Sequence, residues 1–149
     1  MTVVNASIEI EATPEEVWAV VSDPRNLPRW DRHVTKVVGV PKEGLEEGTE
    51  YTTIMSFMGV RAHVDAEVLE IKPPEHSRIR LSGPVLEAVV TSHVTRLDGD
   101  RTLLEHVVDY EMRGGFIGRI AERALDATGG PAMMLRRGTL GQKQQIEEG

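Results

Sequence analysis

The chain has 149 residues, no cysteine and a formal net charge of -7. A chain of this length is expected to form one domain, residues 1–149, and can bury about 68–70% of the surface its unfolded form exposes. The lack of cysteine excludes disulfides, thiol nucleophiles and thiolate metal sites. The acidic balance speaks against nucleic acid and anionic membrane surfaces, which select basic patches. No apolar run approaches the roughly 20 residues that span a bilayer, and no basic-then-apolar leader opens the chain. The expectation is a cytoplasmic protein, monomer or homodimer, with no integral membrane association.

In chain order, VVNASIEIE (3–11) alternates and predicts a first strand. In TPEEVWAVVSD, Thr13 can cap a helix, Pro14 suits its first position, and Glu16 completes a capping box. Val17, Val20 and Val21 form its buried stripe, and Trp18 is expected in the core. A second short helix, PRNLPRW, ends near Trp30. From 34 to 113 the pattern is β, with strands at 34–40, 49–58, 60–71, 77–83, 87–97 and 101–113. Glu47-Gly48, Gly59, Pro73-Pro74, Gly83-Pro84 and Asp98-Gly99-Asp100 punctuate them. Connections this short imply antiparallel neighbours. Residues 115–147 read as mostly helical, with a stripe of Phe116, Ile117, Ile120, Ala124 and Leu125. Gly129-Gly130-Pro131 interrupts that segment and implies either a kink or a restart near Pro131. Met133, Met134, Leu135, Leu140 and Ile146 are the apolar residues of its second half. Strand, two short helices, six strands and a long helix make an α+β fold, in which the helix lies across a curved antiparallel sheet of about seven strands.

The block SIEIEATPEEVWAVVSDP, the PRW at 28–30, EIKPPE at 70–75, the Asp98-Gly99 turn and the terminal helix resemble the polyketide cyclase/dehydrase and lipid-transport superfamily, also called START-like or SRPBCC. The resemblance covers nearly the whole chain. It implies a helix-grip fold with an apolar cavity between sheet and long helix, and the binding of lipids, polyketides or other hydrophobic molecules. The glycine–proline interruption departs from the unbroken terminal helix of that superfamily.

Strand parity assigns an inner face independently of the resemblance. It comprises Tyr51, Thr53, Met55 and Phe57; Val60, Ala62, Val64, Ala66 and Val68; Ile79 and Leu81; Ala88, Val90, Ser92 and Val94; and Leu104, His106, Val108, Tyr110 and Met112. Two of these rows are small-residue rows, Ala62-Val64-Ala66 and Ala88-Val90-Ser92. Protein interiors are close-packed, so the volume above them is filled either by Phe116, Ile120, Met133 and Met134 or by a ligand. His106 and Tyr110 stand out on an apolar face. They either bond to neighbouring core groups or serve as polar anchors of a small-molecule pocket. Trp30 either packs under the helix pair or stands at the mouth that the resemblance implies.

The candidate ligand-binding residues are Trp30, Tyr51, Met55, Ser92, His106, Tyr110, Phe116, Ile120 and Met134. The expected partner is a hydrophobic small molecule. The alternative is a polyketide cyclase or dehydratase with His106 as general acid/base and Tyr110 orienting a carbonyl. A third reading is a regulatory interaction protein. No cofactor is expected. His63, Asp65 and His93 share the outer face, and a solvated sheet surface explains them better than a metal. Asp31-Arg32-His33 reads as a polar loop, and Arg136, Arg137 and Lys143 as a solvated helix face.

Overall fold

The computed structural model describes every residue except 1, 58, 116–118, 121, 124–128 and 149, and for Phe57 the backbone alone. Seven strands form one antiparallel sheet: β1 (Thr2–Ile10), β2 (Val34–Val38), β3 (Glu50–Phe57), β4 (Val60–Lys72), β5 (His76–Ser82), β6 (Leu86–Arg96) and β7 (Thr102–Met112). Their order is β1-β7-β6-β5-β4-β3-β2. Every pair except β1–β7 joins chain neighbours, as short turns require.

Between β1 and β2 lie α1 (Pro14–Val21), a 3₁₀ turn (Pro24–Asn26) and α2 (Leu27–Trp30). The reason α1 begins where it does is local. The Thr13 hydroxyl accepts from the Glu16 amide at 3.2 Å, and the Glu16 carboxylate accepts from the Thr13 amide at 3.3 Å. Two otherwise orphaned helical donors are thereby satisfied. The last helix, α3, runs Pro131–Glu148. Gly129 and Gly130 both have positive φ, +97° and +87°, which side-chain-bearing residues rarely adopt. Pro131 then opens α3, so the interruption is a restart.

Two apolar clusters build the core. Ile10, Ala12, Val17, Trp18, Val94 and Leu104 form one beneath α1, with Ile8, Val21, Ile71 and Ile146 against it. Tyr51, Ala66 and Val68 form the other, with Val37, Val40, Leu45, Ile71, Ile79 and Leu81. Ile71 belongs to both because the β4–β5 register slips between Val68 and Glu70. That bulge turns Ile71 inward where strict alternation would have placed Glu70.

Three expectations from periodicity need correction. Val60 is 69% exposed, because it starts β4 at the tip of the β3–β4 hairpin, beyond the core. Ile120 is 54% exposed, beside the exposed Arg119, so it does not turn inward. On α3, Met133, one of the residues that could fill the cavity, is 38% exposed, and the buried residues are polar: Thr139 and Gln142. The buried face of α3 is set by what it crosses, not by its most apolar residues. Thr139 satisfies its own hydroxyl by donating to the Leu135 carbonyl at 2.7 Å.

The approach of α3 to α2 depends on two glycines. A methyl group at Gly141 would lie 2.7 Å from Trp30 Cβ and 3.3 Å from its Cα, and one at Gly138 would reach the indole at 3.9 Å. Gly141→Ala is expected to push the helices apart and to destabilise the fold by about 1–3 kcal/mol, the usual cost of overpacking. Urea unfolding would measure the loss, with a red shift of tryptophan emission as Trp30 gains solvent.

Candidate functional site

The inner face of the sheet is concave toward α3 and is not uniform. Its lower half is sealed. There β1, β6 and β7 bring Ala6, Ser92 and His106 into one cross-strand row, because Ala6 pairs with His106 and Ser92 pairs with His106. All three are buried. The carboxy-terminal half of α3 lies over this row. Ile146 reaches the core, Lys143 Nζ donates to the Glu9 carbonyl at 2.7 Å, and Glu147 accepts from the Glu11 amide at 2.8 Å.

At the centre of that seal the imidazole of His106 is held from both sides. Its Nδ1 lies 2.7 Å from Ser92 Oγ, and its Nε2 lies 2.8 Å from Gln142 Oε1. An amide oxygen can only accept, so Nε2 carries the proton and donates to Gln142. Nδ1 then accepts from the Ser92 hydroxyl. Burial lowers the pKa of His106, with the Gln142 bond opposing it more weakly. The ring is therefore neutral in the folded protein near pH 7.

The upper half of the same face is only partly covered. Met55, Val90, Val108, Tyr110 and Met112 are half-buried, around the small floor of Ala88 and Val64. Tyr110 stands two inward positions along β7 from His106 and pairs across to Ala88. Its hydroxyl has no hydrogen-bond partner among the described residues.

The predicted residues therefore divide into four groups. Ser92 and His106 meet directly. Tyr110 and Met55 face the half-covered surface. Tyr51 is buried within the second core cluster, where burial raises the pKa of its phenol. Trp30 and Met134 come together at an open cleft of about 470 Å³ between α2, the loop after it and the start of α3. Of the remaining two, Ile120 is exposed and Phe116 lies outside the described residues.

Sequence reasoning missed Gln142, Arg29, Arg32, His33 and Arg137, which complete these two places. A buried histidine without a strand partner for its second nitrogen was the available signal for Gln142. On the outer face, His76 and His93 pair across β5 and β6 with Nδ1 atoms 3.3 Å apart, and Glu70 lies 3.6 Å from His76 Nε2. Among the described residues no three histidines, aspartates or glutamates are grouped so as to hold a metal ion, and no helix is long and apolar enough to cross a membrane.

A curved seven-stranded antiparallel sheet with two short helices after its first strand and a long terminal helix defines the helix-grip class of α+β proteins. Residues 1–136 match the profile of the polyketide cyclase/dehydrase and lipid transport family, and the chain belongs to that family. Solved structures with the same fold include a conserved protein from Geobacillus kaustophilus, at 22% identity and a TM-score of 0.74, covering 99% of this chain and 96% of that one. A START superfamily protein from Mycobacterium smegmatis matches at 18% identity and a TM-score of 0.72, over 97% and 98% of the two chains. The Zhui aromatase/cyclase of a Streptomyces species matches at 15% identity and a TM-score of 0.74, over 99% and 92%. The comparison with curated proteins gave no match.

Two outcomes are expected from the His106 bridge. Gln142→Leu leaves the Nε2 proton buried without an acceptor and is expected to cost about 1–3 kcal/mol, measured by denaturant unfolding. The second outcome concerns acid. An unfolded imidazole titrates near about 6.5, and the folded one lower, so between those two values the unfolded chain binds the extra proton. Stability from this group is fully present above about pH 6.5 and falls on acidification, by at most about 1.4 kcal/mol per pH unit, down to the folded pKa. His106→Asn is expected to lack that slope, so its deficit relative to the parent narrows between pH 7 and pH 5.

Proposed function

We propose that the protein binds a hydrophobic small molecule, a lipid or polyketide-like compound, in the hollow between the upper half of the sheet and α3. The observation that carries this reading is the change along one face. The row at His106 is sealed and fully hydrogen-bonded. The row at Tyr110 is apolar, half-covered and topped by a phenol without a partner among the described residues. Membership of a family described by polyketide cyclisation, dehydration and lipid transport supports it.

Burying about 300 Å² of apolar ligand surface would yield roughly 7–8 kcal/mol gross at about 25 cal/mol per Å². Association costs about 4 kcal/mol or more, so apolar contact alone gives weak binding. Selectivity therefore needs polar anchors, and Tyr110 is placed for that role. Binding is favoured over turnover because both nitrogens of His106 are already engaged, one by the sheet and one by the helix. A general base must have a free lone pair within hydrogen-bond reach of the substrate proton. His106 in this state serves as the latch that holds α3 over the sheet.

The test is thermal unfolding against a panel of fatty acids, sterols and aromatic polyketides, with denaturing mass spectrometry of the purified protein. At least one class is expected to co-purify or to raise the melting temperature. Val90→Trp, which fills the hollow, is expected to abolish that rise. A panel with no effect and no extractable ligand would refute the reading.

A further inference from the structure

The cleft at Trp30 has an unusual charge for this chain. It is lined by Arg29, Arg32, His33 and Arg137, against a single carboxylate, Asp31. One oxygen of that carboxylate is taken by the backbone amide of His33 at 2.9 Å. The net charge of the whole protein is -7, so three guanidinium groups around one cleft are a local inversion of sign. Arg25, Arg80, Arg96, Arg101 and Arg113 each face a carboxylate within 4 Å. Arg29 and Arg32 have no such partner among the described residues.

The same cleft has apolar walls. Pro28, Trp30 and Met134 line it, and Gly138 lets the indole lie against α3. It also adjoins the hollow. The His33 carbonyl accepts from the Ser56 amide at 2.7 Å, and the next residue, Val34, pairs with Met55, whose side chain is half-buried on the inner face. An apolar chain seated over Met55 and Met134 would therefore place its end among the arginines.

We propose that the ligand is an anionic amphiphile, an acyl or prenyl chain ending in a carboxylate or phosphate, with its charged end held by Arg29, Arg32 and Arg137. This rests on the proposed function and narrows it to one ligand class. Guanidinium groups suit both acids, because each presents paired N–H donors that match two oxygens at once. A cleft of one sign of charge also raises the local concentration of such ligands.

The experiment is isothermal titration of the intact protein with four probes: dodecanoate, dodecyl phosphate, dodecanol and inorganic phosphate. At least one of the two acids is expected to bind about tenfold or more tightly than dodecanol at low salt, with the margin shrinking as salt rises. Inorganic phosphate is expected to bind far more weakly than dodecyl phosphate. The variant R29Q/R32Q, at two exposed positions, is expected to bring the acid-to-alcohol ratio within about threefold. Equal binding of alcohol and acids overturns the proposal and leaves the hydrophobic-ligand reading standing. Persistence of the preference in R29Q/R32Q overturns the assignment to this cleft. Inorganic phosphate binding as well as dodecyl phosphate overturns the amphiphile. Failure of all three chain-bearing probes removes both this proposal and the reading beneath it.

Discussion

A single buried imidazole joins the two layers of this protein. The sheet alone leaves His106 with one satisfied nitrogen, and α3 alone leaves Gln142 with an amide facing apolar surface. Each half would carry an unmet hydrogen bond in a dry place, so the bond between them fixes where the helix crosses. Backbone and side-chain bonds at Glu9 and Glu11 hold the end of α3 beyond it, and the Gly138–Gly141 face lets Trp30 support its middle. The sealed and half-covered halves of the concave face result from that crossing point.

This arrangement also divides polar roles. Ser92 and His106, on neighbouring strands, bond to one another, and His106 bonds on to the helix. Both ring nitrogens of His106 are thereby engaged. Tyr110 is the reverse case, a phenol whose ring is half-buried and whose hydroxyl has no partner among the described residues. Polar groups of that kind orient ligands in otherwise apolar sites. On the proposed reading, one polar residue of β7 holds the fold and another, two inward positions along, meets the ligand, which would account for His106 and Tyr110 sharing an apolar face.

The sheet was legible because antiparallel pairing with short turns leaves strand parity little freedom. Ala66, Val68, Ala88, Ser92, Val94, Leu104 and His106 are all buried on the face that alternation assigned to them. Alternation failed where the ladder slips, as at Ile71, since a bulge is a local backbone event with no strong composition signal. The capping box at Thr13 and the restart at Pro131 were legible because both are local. The helix face was not. Its apolar residues include Leu140, which is exposed, while Thr139 and Gln142 are buried, because the contact is decided by a histidine 36 residues away in sequence. The arginine cleft was hidden for the same reason. Arg29 read as part of a short helix, residues 31–33 as a polar loop and Arg137 as a solvated helix face, and only the packing of α2 on α3 makes them neighbours.

The most direct measurement is a methyl NMR titration with dodecanoate, comparing Met55, Val90, Val108 and Met134 with Ile8 and Ile146 in the sealed half. Saturable shifts, with ligand-to-methyl contacts, are predicted at the first four and little change at the last two. Shifts confined to the outer face of the sheet, or none at any of the four, would contradict a ligand seated in the hollow.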